Sequence, residues 1–248
     1  MKIVVCVNHA PDTETKVKIG SDGKSIDPAG VNFILNPYDE FAIEAALRLK
    51  EQHGGETYAL TLGPDTHKET LRKALAIGIE KAVHLKDQSP RDSFSIARAL
   101  AEELKKMTPD CVLFGKQSID YYDEQIPGLV AELLGWPSVS VVIKLEVNAG
   151  KVNCVREIEG GHEIVETKLP VVITTQKGLN EPRYPSLKGI MAAKSKPIEE
   201  RTPASFPAVV ETLSMKKPPA KQASRIVGTD ASAVPELVRL LHEEAKII

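Results

Sequence analysis

The chain is predicted to fold as α/β, with a doubly wound, mostly parallel sheet, an inserted antiparallel meander and a C-terminal arm. Three observations carry that expectation. The runs KIVVCV, TYALTL, AVHL, CVLF and LPVVITT are continuous and rich in β-branched residues, as strands covered on both faces must be. The segments between them place apolar residues at helical spacing, and strand and helix alternating at this length mean βαβ units. From Val139 the period drops to two, which marks a meander before the last buried strand.

Taken in order, Lys2 to Val7 is the first strand. Asn36-Pro37 opens a helix, with Asn36 as its cap, Pro37 at the first helical position, and Asp39 and Glu40 in the first turn where the helix dipole favours acids. Ala42, Ala45, Ala46 and Leu49 form its core face. Tyr58 to Leu62 is the next strand, Gly63-Pro64-Asp65-Thr66 breaks it, and Leu71, Ala74, Leu75 and Gly78 mark the following helix. The pattern repeats through the strand Ala82 to Leu85, the helix of Ala97, Leu100, Ala101 and Leu104, the strand Cys111 to Phe114, and a helix through Leu129, Leu133 and Leu134. In the meander, Val141, Ile143, Leu145 and Val147 alternate with other residues, and turns fall at Asn148 to Lys151 and at Gly160-Gly161. Residues 1–198 are expected to form one domain. Residues 199–248, with PASFP and KKPPAKQ, form an extended arm with a short amphipathic helix around Pro235 to Ala245, too poor in apolar residues to build a core of its own.

Composition narrows the function classes. With 248 residues, 42% hydrophobic and 27% charged, the chain can bury a full core. A net charge of -2 from 32 basic and 34 acidic residues argues against a nucleic-acid footprint. Cys6, Cys111 and Cys154 lie far apart and read as buried apolar residues in a reducing compartment, with no metal site implied. The six histidines show no ligand spacing. The chain opens on a strand, and no apolar run approaches the ~20 residues a bilayer span needs, so a soluble cytoplasmic protein without membrane insertion is expected.

The most informative stretch is Lys168 to Ile198. A buried strand runs into a punctuated cationic loop, where Pro182 and Pro185 fix the backbone and forbid a helix, while Arg183, Tyr184, Leu187, Ile190 and Met191 supply large groups. Apolar side chains on a stiffened loop flanked by Lys188, Lys194 and Lys196 are suited to touching a partner. A second region emerges at the carboxyl ends of the strands, where ligands settle in doubly wound sheets: Cys6 to Ala10, Asn36 to Asp39, Leu62 to Thr66 and Gly115 to Gln125.

LNEPRY followed by a short spacer with Leu187, then Ile190-Met191, closely resembles the signature of the beta subunit of electron transfer flavoproteins. KIVVCV, ILNPYDEFAIEAALRLKE, TLGPDT, FGKQSID and VREIEGG extend the resemblance in the family's order along nearly the whole chain. The resemblance implies a Rossmann-like, adenine-nucleotide-binding domain. It also implies a heterodimer with an alpha subunit holding most of an FAD, and electrons passing from flavin dehydrogenases to a quinone oxidoreductase. The chain would then be a carrier component rather than an enzyme.

By the same resemblance the nucleotide positions are Cys6, Asn36, Pro37, Tyr38, Asp39, Leu62 and the run Gly115, Lys116, Gln117, Ser118, Ile119, Asp120, Tyr121, Tyr122, Asp123, Glu124, Gln125 and Ile126. Members holding AMP commonly show small polar residues where this chain has Glu124, Gln125 and Ile126. Asp123 and Glu124 would repel a phosphate unless protonated or turned away, and as acids in the first turn of a helix they would serve its dipole instead. The expectation is a pocket that binds AMP weakly or is filled by Tyr121 and Tyr122.

Glu157 and Glu159 project together from a hairpin end with no nucleophile near them in sequence, as a solvated face would. By resemblance Glu157 pairs with an arginine of the flavin-bearing subunit, while His9 and Thr13 lie near the flavin. Leu187 anchors docking to dehydrogenases, in company with Tyr184, Ile190 and Met191, within a recognition loop 178–194. The arm packs on the alpha subunit. Two alternatives stay open: a bifurcating beta subunit with a second FAD that oxidises NADH, and a universal-stress-type nucleotide-binding module.

Overall fold

A computed structural model describes residues 1–220 and 223–248; Lys221 and Gln222, the end of the KKPPAKQ run, lie outside the described residues. In chain order the elements are β1 (Lys2–Cys6), β2 (His9–Pro11), β3 (Phe33–Leu35), α1 (Pro37–His53), β4 (Glu56–Gly63), α2 (Lys68–Ile77), β5 (Lys81–Lys86), α3 (Ser93–Met107), β6 (Cys111–Gly115) and α4 (Gln125–Leu134). There follow β7 (Ser138–Asn148), β8 (Lys151–Ile158), β9 (Gly161–Lys168), β10 (Val171–Thr175), α5 (Leu187–Ser195), β11 (Ile198–Arg201) and α6 (Val234–Arg239).

The main sheet has nine strands in the order β11-β5-β4-β1-β6-β10-β7-β8-β9. From β11 to β7 every pairing is parallel, and β8 and β9 extend the sheet antiparallel to their neighbours as the predicted meander. After β1 the chain lays β4 and β5 on one side, then returns across β1 to lay β6 on the other. The strand order therefore reverses between β1 and β6, which is where such sheets open a crevice.

Both faces of the sheet are covered. Ile3, Val5, Leu113 and Ile173 pack with Ile43, Leu71 and Leu75 on one side. Val4, Cys6, Leu60, Val112 and Val172 pack with Leu100, Leu104 and Val130 on the other. Successive residues of β1 thus enter opposite cores, which is why KIVVCV is apolar throughout. All three cysteines are buried free thiols. Burial pushes the Cys6 thiol well above its ordinary value and Cys154 up to about 11, and raises Cys111 too.

The structure departs from the sequence reading at several ends. β10 begins at Val171 rather than Leu169, because Pro170 has no N–H to give the ladder. Asn36 occupies the cap position of α1, yet its side chain makes no capping bond and is used elsewhere. The prolines do not keep the recognition loop free of helix. They stop at Pro185, and Ser186 then caps α5, accepting a bond from the Gly189 N–H at 3.0 Å. α6 is regular only to Arg239 and continues as a wider π-type turn through Leu240–Glu244. Residues 198–201, assigned to the arm from 199 onward, first add an edge strand beside β5. No helix among the described residues is long and apolar enough to cross a membrane.

Candidate functional site

A cavity of about 540 Å³ opens at the carboxyl ends of β1, β4 and β6, within the size range of small-ligand pockets. Leu60, Leu62, Phe94, Leu100, Phe114, Ile126 and Leu129 give it apolar walls, and Asn8, Asn36, Lys116, Gln117 and Ser118 place polar groups at one side. Of the positions expected from sequence, Cys6, Asn36, Asp39, Leu62, Gly115, Lys116, Gln117, Ser118, Tyr121, Asp123, Glu124, Gln125 and Ile126 line it; Pro37, Tyr38, Ile119, Asp120 and Tyr122 stand beside it without lining it.

The polar side is built on Asp39. Its carboxylate accepts from the Asn8 N–H at 2.8 Å, the Gly115 N–H at 3.0 Å and Asn36 Nδ2 at 3.0 Å, so it fastens β1, β6 and the start of α1 together. Burial pushes its carboxyl up to about 7, against the pull of these three donors. Gly115 is required by proximity. A Cβ there would lie 2.5 Å from Asp39 Oδ1 and 2.6 Å from Tyr38 Cβ.

Asn36 also donates from Nδ2 to the Gln117 carbonyl at 3.0 Å. Its Oδ1 is left without a partner although the residue is only 1% exposed. This oxygen is sealed within the fold beside the pocket rather than open to it. At the far side the N-terminus of α4 enters the cavity, and the cap residue Glu124, held at φ 54°, does not bond to it through its side chain. The first amides of α4 and the Lys116 ammonium, which lies 5.2 Å from the Tyr38 ring, are donors a phosphate would meet, whereas the lining Arg91 guanidinium is paired with Asp87.

The acids do not behave as the sequence suggested. Asp123 and Glu124 precede α4 rather than forming its first turn. Asp123 accepts a bond from Ser93 Oγ, and Asp120 accepts from Asn8 Nδ2 at 3.2 Å and from Ser118 Oγ. Both carboxylates are held by hydroxyl or amide donors, which fixes their direction and favours their charged form. Nor do the tyrosines fill the pocket. Tyr121 is 76% exposed and Tyr122 is exposed as well, because the left-handed turn at Tyr122 (φ 56°) swings the segment outward.

Sequence reasoning missed Arg91, Asp92, Ser93, Val209 and Val210, which also line the cavity. Asp92 could have been found, since Asp92 and Ser95 make the reciprocal capping box of α3. The free oxygen of Asp92 accepts the N–H groups of Val209 and Val210 at 2.8 and 3.0 Å. Arg91 donates to the Ala204 carbonyl, and the Arg98 guanidinium lies 3.9 Å from the centroid of the Phe206 ring. Residues 204–212 are thus strapped along the cavity rim.

The other expected residues fall elsewhere. Glu157 accepts from Gln176 Nε2 at 3.0 Å at the exposed end of the β8–β9 hairpin. His9 turns inward, with Nδ1 2.8 Å from Thr70 Oγ1 and its ring stacked on Phe33, whereas Thr13 is exposed. His67 sits against His9, and burial lowers it to about 4. Tyr184 and Leu187 are 94% and 84% exposed, Met191 projects beside them and Ile190 is the least open of the four.

The segment that carries Tyr184 and Leu187 is held by charge. Glu44, buried in the middle of α1, accepts from Arg183 Nε at 2.7 Å, from Arg183 Nη2 at 3.1 Å and from Arg48 Nε at 2.7 Å. Burial pushes its carboxyl up, but these guanidinium bonds outweigh that and hold it below the usual carboxylate range. Arg183 also reaches Glu51 at 2.7 Å.

A strand-order reversal with an apolar cleft at it and a helix N-terminus on the rim define a doubly wound α/β domain with a crevice of small-ligand size. The chain matches the electron transfer flavoprotein domain over residues 24–205. It is 42% identical over 224 residues to the electron transfer flavoprotein subunit beta of Syntrophomonas wolfei, covering 90% of this chain and 88% of that protein. The corresponding protein of Bacillus subtilis is 40% identical and that of Dictyostelium discoideum 32% identical, each over 100% of this chain. The chain belongs to the electron transfer flavoprotein family, as a beta subunit, and the universal-stress-type reading is set aside.

Proposed function

We propose that this chain is the cytoplasmic beta half of a heterodimer that passes electrons from flavin dehydrogenases to a quinone oxidoreductase. The alpha subunit would hold most of the FAD, and that group supplies the electron-accepting and electron-donating chemistry when bound. This chain contributes position and partner choice. Leu187 and Met191 offer an apolar contact on a segment tied to α1 and α2, and Glu157 offers a carboxylate at the hairpin end for a cation of the flavin-bearing subunit. The exposed apolar side chains of the arm, Leu213 and Ile226 among them, are to be covered by the alpha subunit.

The cleft is proposed to hold AMP. Its apolar walls suit a flat ring, and Lys116 with the first amides of α4 suits a phosphate.

The observation that carries the functional reading is the exposure of Leu187 at the start of a capped helix, where nothing of its own chain covers it. The test is to purify the heterodimer and replace Leu187 by Ala. Dehydrogenase-driven reduction should weaken while the flavin absorbance stays as it was. Unchanged coupling would sink the docking role, and stoichiometric release of a second flavin in place of AMP would move the assignment to the bifurcating form.

A further inference from the structure

α5 cannot hold its own position by burial. It has nine residues, of which Ala193 is the buried one, and an isolated helix of that length is marginal in water. Its seat is made by polar groups reaching in from elsewhere. On the C-terminal side, Arg72 of α2 donates to the carbonyls of Ala193, at 2.6 Å, and of Lys196, whose own ammonium donates to the Ile79 carbonyl at 2.9 Å. In the middle, Gly189 lies so close to α2 that a Cβ would stand 2.4 Å from the Ala76 carbonyl oxygen.

On the N-terminal side, Asn180 Nδ2 donates to the Phe41 carbonyl at 3.0 Å, and Arg183 closes on Glu44 through Nε and Nη2 and on Glu51 through Nη1. Glu44 is 3% exposed on a helix whose other buried residues are mostly apolar. A buried carboxylate is retained there at the expense of its hydration, and a fork-to-carboxylate pair fixes direction as well as distance.

We propose that Glu44 is a positioning residue for docking: through Arg183 it holds Tyr184 and Leu187 in the orientation that a partner meets. The inference rests on the docking reading of α5. Without the Glu44 contact, the apolar side chains remain but the segment carrying them moves, and its ordering must then be met at each encounter with a partner.

The experiment uses the heterodimer with three single variants, Glu44→Gln, Arg183→Lys and Leu187→Ala. It reads KM and kcat for the flavoprotein as acceptor of a flavin dehydrogenase, the flavin spectrum, and amide exchange over residues 180–196. Glu44→Gln is expected to raise KM about tenfold with kcat within about twofold, to leave the spectrum unchanged and to speed exchange over 187–196. Arg183→Lys keeps the charge but loses the fork, and should raise KM by a smaller factor; it serves as the measurement if Glu44→Gln does not fold. Wild-type KM in Glu44→Gln or Arg183→Lys, alongside a raised KM in Leu187→Ala, overturns the positioning role alone. Wild-type KM in Leu187→Ala overturns the docking reading beneath it.

Discussion

Two segments leave the sheet with apolar side chains turned to solvent, and they are fixed in opposite ways. After β10, residues 180–196 are clamped to α1 and α2 by Asn180, Arg183, Arg72 and Lys196, several of these bonds ending on buried groups. After β11, the arm is held by Arg91, Arg98 and Asp92 as far as Val210, and by Lys24 to Glu211 and the Met215 N–H to the Gly23 carbonyl. Beyond that, Ile226 and Val238 are exposed and the ion pairs of Arg239 stay within the arm's own helix. An exposed side chain on a clamped segment is presented to transient partners at little entropic cost; the same side chain on a loosely tied one needs a permanent cover to order it.

Truncation after Met215 tests the loosely tied half and should have the largest effect. The isolated chain should keep its melting temperature within about 2 °C, while size-exclusion chromatography with the alpha subunit should show no heterodimer. A truncated chain that still assembles would break the contrast.

Gly189→Ala tests the clamped half. The Cβ has nowhere to go against the Ala76 carbonyl, so α5 must lift, at a cost of roughly 1–3 kcal/mol and about 2–4 °C of melting temperature per kcal/mol by calorimetry.

Asp92→Asn sharpens the boundary between the two regimes. It keeps one oxygen to cap α3 but turns an amide toward the Val209 and Val210 N–H groups, a loss of about 1 kcal/mol. Hydrogen exchange at Val209 and Val210 should accelerate, and AMP should leave the cleft faster, with exchange over 187–196 unaltered.

The finest readout lies in the cleft that the arm borders. Asp39 should titrate near pH 7 in the folded chain against about 3.9 unfolded, followed by carboxyl-carbon NMR. Since the folded state holds its proton more tightly, the stability that Asp39 contributes is present below about pH 4 and is lost as the pH rises through 7.

Much of this was legible in the residues because it is written locally. Strands that feed two cores are apolar at every position, as Ile3 to Cys6 are, and the meander announces itself by alternation. The cleft followed from where Cys6, Asn36 and Gly115 end their strands. What escaped was what depends on pairs distant in sequence. Glu44 reads as an ordinary solvated acid on α1 until Arg183 arrives 139 positions later. Asn36 carries every mark of a cap, yet Asp39 and Gln117 claim its amide. The prolines before α5 correctly bar a helix over their own positions, but the cap at Ser186 starts one directly afterwards. Nothing local in Tyr121 and Tyr122 says whether they face in or out; the left-handed backbone at Tyr122 decides it.

The thiols of Cys6, Cys111 and Cys154 have a bearing on survival. Sulfur is attacked by peroxide and by other oxidants chiefly as thiolate, and each of these groups is walled in and kept protonated. The folded polypeptide therefore exposes no sulfhydryl to such oxidants, and alkylating reagents should label it only once it has come apart.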